Sequence, residues 1–159
     1  MELNKFLAEW HNDNPRILVH TSGSTGKPKP LMVEKRRMLN SARITCDFLG
    51  LKPGDTALLC MPLDYIAGKM MVVRSLQRDL RLTSVRPSSH PLADDALPSF
   101  TFAAMVPMQV YNTLKVPCER ERLMHIRHLI IGGGAISDEL AQMIKPLPNA
   151  VSVSYTHLR

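Results

Sequence analysis

A chain of 159 residues is long enough for one domain with a real core, and 45% hydrophobic with 21% charged residues excludes disorder and collagen-like structure. Lysine and arginine number 20 against 14 acids, a net charge of +6 that suits anionic ligands, although a solvated basic surface explains the same balance. Aromatics are only 5% and never interleave with Arg and Lys, so nucleic acid draws no support as a partner.

Leu3, Phe6, Leu7 and Trp10 repeat at helical spacing and predict an opening amphipathic helix that Asn14-Pro15 ends. Ile17-Leu18-Val19 reads as a buried strand running into a polar Gly/Ser/Thr/Lys loop. From Glu34 a helix pattern places Met38, Leu39, Ala42, Cys46 and Leu49 on one face, and Gly50 with the turn Lys52-Pro53-Gly54-Asp55 stops it. Thr56 to Cys60 is the next strand, Met61 to Asp64 a loop, Ile66 to Gln77 a helix and Leu80 to Val85 a strand. Pro87 to Ser99 is a surface loop rich in Pro, Ser and Asp. Phe100 to Met105 is strand-like, and Pro107 suits the first turn of a helix reaching Leu114. His128 to Ile131 is a strand that enters Gly132-Gly133-Gly134, and Ser137 can cap the helix that follows. Pro146 and Pro148 end that helix, and Ala150 to Val153 starts a last strand. Strands alternating with helices in this way predict an α/β fold with a largely parallel sheet flanked by helices.

One loop carries the chemistry: Thr21-Ser22-Gly23-Ser24-Thr25-Gly26-Lys27-Pro28-Lys29. Gly23 and Gly26 let the backbone turn tightly and approach a ligand. Ser22, Ser24 and Thr25 offer hydroxyl donors, Lys27 adds a positive charge, and successive amides can form an anion nest. It is not a Walker A loop, because Thr21 stands at that motif's first glycine and Pro28 follows the lysine. On composition alone such a stretch is more often a plain loop than a phosphate site.

The full string is more specific, and it resembles the signature of the adenylate-forming superfamily, which holds the acyl-CoA synthetases, peptide-synthetase adenylation domains and luciferases. Further segments resemble that family in the same order: Gly50 to Asp55, Met61 to Gly68 (with Tyr65 where the family usually has His), Val106-Pro107-Met108-Gln109, and Ile131-Gly132-Gly133-Gly134-Ala135. Pro30 departs from the family's usual Gly, so the exit of the loop is expected to differ. Within the superfamily the run Pro62 to Arg74 resembles the o-succinylbenzoate–CoA ligases of menaquinone biosynthesis.

The resemblance implies an ATP-dependent ligase. A carboxylate attacks the α-phosphate of ATP, pyrophosphate leaves, and CoA then displaces AMP from the acyl-adenylate, with Mg²⁺ as helper. It implies that Thr21, Ser22, Gly23, Ser24, Thr25, Gly26 and Lys27 hold the outer phosphates, and that Gly132, Gly133, Gly134 and Ala135 lie against adenine and the acyl group. It implies an acid site with Tyr65, Gly68, Lys69 and Arg74, and Arg74 meeting a second substrate carboxylate. The resemblance covers residues 1–153, as part of an N-terminal domain. The family's aromatic-Gly-x-Thr-Glu motif does not follow, residues 154–159 read as a non-native tail, and the C-terminal domain with its catalytic lysine is expected to be absent. The alternatives are a non-catalytic nucleotide-binding fragment, or a ligase for another aromatic or fatty acid. Self-association into a homo-oligomer is left open.

Other residues have plainer readings. Lys69 and Arg74 are separated by about 140° around a helix, and both can snorkel to solvent, the preferred reading for Lys69. His125 and His128 lack a third ligand, so no metal site is assigned; Asp94-Asp95 reads as a solvated pair and the methionines as core filler. Cys46, Cys60 and Cys118 are widely spaced without a CxxC pair, which suits a reducing compartment. No apolar run approaches the roughly 20 residues that cross a bilayer, and MELNKFLAEW is no signal peptide; the expectation is a cytoplasmic protein without a membrane partner.

Overall fold

A computed structural model describes residues 2–21, 29–148 and 150–152. The elements run α1 (Leu3–His11), β1 (Arg16–Thr21), β2 (Lys29–Glu34), α2 (Lys35–Phe48), β3 (Thr56–Leu59), α3 (Ile66–Arg78), β4 (Arg81–Ser84), β5 (Phe102–Met105), α4 (Pro107–Lys115), α5 (Pro117–His125), β6 (His128–Ile131), α6 (Asp138–Ile144) and β7 (Ala150–Ser152). They form two compact units, residues 1–55 with 61–82, and residues 56–60 with 83–159.

The first unit combines α1, the β1–β2 hairpin, α2 and α3. Phe6 and Trp10 bury the inner face of α1, and their ring centroids lie 6.0 Å apart. Helix α2 buries Met38, Ala42 and Cys46 against α3, while Leu39, assigned to the same face from sequence, stands exposed at its edge. Its end is a Schellman motif: Leu51 N donates to Cys46 O and Gly50 N to Asp47 O, with Gly50 at φ +63°. Helix α3 ends on Asp79 in the left-handed region, and Arg78 there donates to Leu51 O at 2.9 Å and pairs with Asp47.

The hairpin corrects one expectation and adds a strand that the sequence did not suggest. Strand β1 is not wholly buried: Ile17 and Val19 face inward, but Leu18 is 45% exposed, because only one side of the two-stranded ribbon meets the core. Strand β2 has no counterpart in the sequence reading, and its Pro30 has no N–H to give a ladder. A proline is tolerated on an edge strand, and among the described residues β2 pairs only with β1. This sheet is antiparallel.

The second unit carries the main sheet, in the order β4-β3-β5-β6-β7. The pairs β3–β5, β5–β6 and β6–β7 are all parallel, as the alternating pattern predicts. Strand β5 is buried at every position, the continuous apolar run of a central parallel strand. Helix α5 went unread, because Glu119, Arg120, Glu121 and Arg122 mask its periodicity; it starts on Pro117 at its first turn and buries Glu119 and Leu123. The Asp94-Asp95 pair is exposed in its loop, as read from the sequence. Asp95 is ion-paired with Arg122, and Asp94 Oδ1 accepts from Ala96 N at 2.9 Å.

Candidate nucleotide and acid site

The first unit organises its candidate residues around β1. Strands β1 and β2 run in register from Arg16 opposite Glu34 to Thr21 opposite Lys29. The two residues that flank the rest of the Gly/Ser/Thr string, Thr21 and Lys29, are therefore paired with each other. Thr21 is half-buried at that last pair; Ser22, Gly23, Ser24, Thr25, Gly26 and Lys27 lie outside the described residues. Pro30 stands opposite His20 inside the ladder, so this chain's departure from the resembled pattern falls on a strand.

His20 joins the base of this hairpin to the next segment. Its Nδ1 donates to Asp64 O at 3.2 Å, and its backbone forms a parallel bridge with Tyr65. Tyr65 is thus held beside β1, and α3 begins one residue later. A Cβ added at Gly68 would lie 2.3 Å from Pro62 O, so the first turn of α3 rests directly on the Pro62 carbonyl and glycine is required there by space. Proximity of this kind involves backbone on both sides and offers no flexible atom to move.

Lys69 does not snorkel to solvent, contrary to the sequence expectation. It is 1% exposed, its Nζ donates to Leu18 O at 2.9 Å, Glu9 Oε2 lies 4.0 Å away and the Phe6 ring centroid 5.4 Å away. Helix α1 and strand β1 cover it, and a carbonyl, a carboxylate and an aromatic face offset the lost water. Burial lowers its pKa below the ordinary lysine value, while Glu9 and Asp64 pull it back up. Arg74 lies about 7.5 Å further along the helix axis. It is half-buried, its Nη1 is 3.9 Å from Met71 Sδ, and its carbonyl accepts from Cys46 Sγ of α2. Tyr65 and Lys69 are therefore tied to β1, Gly68 rests on Pro62, and the Arg74 carbonyl meets α2.

The second unit presents the glycine run at the carboxyl end of β6. Gly132 N donates to Met105 O at 3.1 Å, which carries the β5–β6 ladder one residue past the strand. Gly133 then takes φ +81°, a conformation that L side chains resist, and Gly133, Gly134 and Ala135 are exposed. Ser137 Oγ accepts from Leu140 N at 3.2 Å and caps α6 as read from sequence. The turn offers an open backbone surface at the end of a parallel strand, the usual place for ligands in such sheets.

Sequence reasoning missed two contributors. His20 showed no pattern, although its place directly before the loop was a usable signal; Gln109 stood out only as part of Val106 to Gln109, since its amide donates to Cys60 and Ser88, which are distant in sequence. Among the described residues no group of three or more His, Cys, Asp or Glu could hold a metal, and no helix is long and apolar enough to cross a membrane.

Residues 4–155 match the family of AMP-binding enzymes, and the chain belongs to that family. It is 28% identical over 145 residues to the 2-succinylbenzoate–CoA ligase of Haemophilus influenzae, covering 89% of this chain and 30% of the relative. It is 30% identical over 128 residues to the enzyme of that name from Enterococcus faecalis, covering 79% of this chain and 26% of the relative. An acyl-CoA synthetase (AMP-forming)/AMP-acid ligase II-like protein from Dyadobacter fermentans superposes with a TM-score of 0.84 at 36% identity, over 93% of this chain and 43% of that one. The chain thus spans about 30% of the length of the curated relatives it matches.

Proposed function

We propose that this chain supplies the ATP- and acid-binding portion of an acyl-CoA ligase that adenylates 2-succinylbenzoate and passes it to CoA. The observation that carries this reading is the string Thr21 to Lys29, strung between the paired ends of a hairpin with Tyr65 bridged to its base, in a member of the AMP-binding enzyme family. In this reading Thr21 to Lys27 bind the β- and γ-phosphates and neutralise the departing pyrophosphate. The turn Gly132 to Ala135, exposed from Gly133 onward, receives adenine and the acyl group. Mg²⁺ would accompany the ATP phosphates, the way this ion is commonly held.

For the acid, the support is the half-buried guanidinium of Arg74 and the names of the relatives. A planar guanidinium pairs bidentately with a carboxylate, and 2-succinylbenzoate carries one beyond the carboxylate that reacts. Gly68 and Lys69 serve this site through the backbone they hold, Gly68 by its fit on Pro62 and Lys69 by its bond to β1. In this reading the protein works in the cytoplasm, where ATP and CoA are supplied.

Calorimetry tests both halves. Lys27→Ala is expected to weaken ATP about tenfold or more and leave AMP nearly unchanged, because a charge-assisted bond to an outer phosphate is worth roughly 1.5–3 kcal/mol. Equal losses for the two nucleotides remove Lys27 from the outer phosphates. Arg74→Leu is expected to weaken 2-succinylbenzoate by about tenfold or more on the same energetic ground, with benzoate unaffected. Equal losses for both acids make Arg74 structural, and tighter binding of simple monocarboxylates overturns the succinylbenzoate assignment while leaving the ligase reading in place.

A further inference from the structure

In a sheet of order β4-β3-β5-β6-β7, the chain leaves β3 towards one edge and returns on its other side at β5. The order reverses between those two strands, and parallel sheets of this kind open a ligand crevice outside the strand ends at the reversal. Here that place is filled. Gln109, the third residue of α4, is 4% exposed and lays its carboxamide across the carboxyl ends of β3 and β5. Its Nε2 donates to Cys60 O at 3.0 Å and to Ser88 O at 2.9 Å, and its Oε1 accepts from Val106 N at 3.2 Å.

Two donor hydrogens and one acceptor thus each have a partner, a set that a carboxamide supplies and its isosteres do not. Glutamate would put a carboxylate against two carbonyls. An apolar side chain would orphan two carbonyls and one N–H. Cys60 completes the closure: its Sγ lies 3.6 Å from Ala104 O, and burial pushes its thiol up to about 12, so it packs as a neutral group. Val106, held through its N–H, lies beneath the glycine turn. A Cβ at Gly133 would meet Val106 Cγ1 at 3.5 Å, and one at Gly134 would meet Pro107 Cδ at 3.5 Å.

We propose that Gln109 is a positioning residue: its carboxamide closes the crevice at the β3–β5 reversal and, through Val106, fixes the Gly132 to Ala135 turn one strand over. Its consequence for ligands rests on the reading of that turn as the adenine site. The fixing of the turn itself does not.

The test compares the unsubstituted chain with Gln109→Met and with Thr113→Val. Thr113 is a fully buried residue of the same helix, and its Oγ1 has no hydrogen-bond partner among the described residues. Hydrogen exchange by mass spectrometry is expected to show residues 132–135 exchanging about tenfold faster or more in folded Gln109→Met, as local opening predicts, with Thr113→Val within about twofold of the unsubstituted chain. AMP, titrated by calorimetry, is expected to bind Gln109→Met about tenfold more weakly and Thr113→Val unchanged. Equal exchange at 132–135 in the two variants overturns the proposal. If exchange separates them but the unsubstituted chain binds no AMP, the adenine reading of the turn fails and the positioning role stands. Should Gln109→Met not fold, the side-chain amide signals of Gln109 in the unsubstituted chain decide: slow exchange is expected, and exchange at the rate of a free amide overturns the proposal.

Discussion

The start of α3 and the exit of β6 both depend on glycine, for different physical reasons. At Gly68 the backbone angles are ordinary helix and the constraint is space: the Pro62 carbonyl occupies the place of a Cβ. At Gly133 space is available, with the nearest atom at 3.5 Å, and the constraint is the positive φ. The surroundings differ in the same sense. Beside Gly68 lies Lys69, buried and tied to β1, whereas Gly133 is exposed and borders the exposed Gly134. The acid-side segment is therefore held by packing and by a buried charge, and the glycine turn by local conformation over a fixed Val106. Damage to the first is expected to spread through its unit, and damage to the second to stay local.

The largest test of this contrast is Gly68→Ala. A methyl against a backbone carbonyl forces α3 off Pro62, and overpacking of this kind costs about 3 kcal/mol or more. Urea unfolding is expected to show that loss together with weaker protection of β1; a loss below about 1 kcal/mol means the helix shifts freely and the space argument fails. Next comes Lys69→Met. It removes a charged donor from Leu18 O and relieves a desolvation cost, for a net loss of about 2 kcal/mol.

Lys69 also gives the first unit a pH signature. Burial holds its folded-state pKa below the ordinary 10.5, so in the window between the two values the unfolded chain binds more protons than the folded one. Stability from this group therefore rises with pH across that alkaline window, and the penalty is fully present below it. Urea midpoints measured up to the ordinary lysine value are expected to show a rise in the unsubstituted chain that Lys69→Met lacks. A parallel course in both chains would remove the buried-charge account. The smallest effect belongs to the second unit. Gly133→Ala is expected to cost about 1 kcal/mol from the left-handed φ, and Gly134→Ala less than about 0.5 kcal/mol. Equal costs at the two positions would show that space, not conformation, governs this turn.

Much of this architecture was legible without coordinates. The periodicity of Leu3 to Trp10, the run Thr56 to Cys60, the Pro107 helix start and the Ser137 cap all became the elements they suggested. Each depends on residues within one or two turns of one another, which sequence shows directly. Strand β2 and helix α5 were hidden by a local contradiction, Pro30 in one and the charge run Glu119 to Arg122 in the other. Partners supplied from elsewhere, β1 for the strand and the core around Leu123 for the helix, overrode the local signal.

The sequence by itself determined the alternation of strands and helices, the glycine-rich strings and the family they resemble, because these are properties of neighbouring residues. Tertiary structure alone decided that Thr21 and Lys29 pair at the end of an antiparallel ladder and that His20 binds Asp64. It alone decided that Lys69 is buried under α1 and that Gln109 joins Cys60, Ser88 and Val106. Lys69 shows the reason most clearly. A lysine on an apolar helix reads as a side chain that reaches water. Whether it reaches water depends on Glu9, Phe6 and Leu18, residues more than fifty positions away that only folding brings to its ammonium.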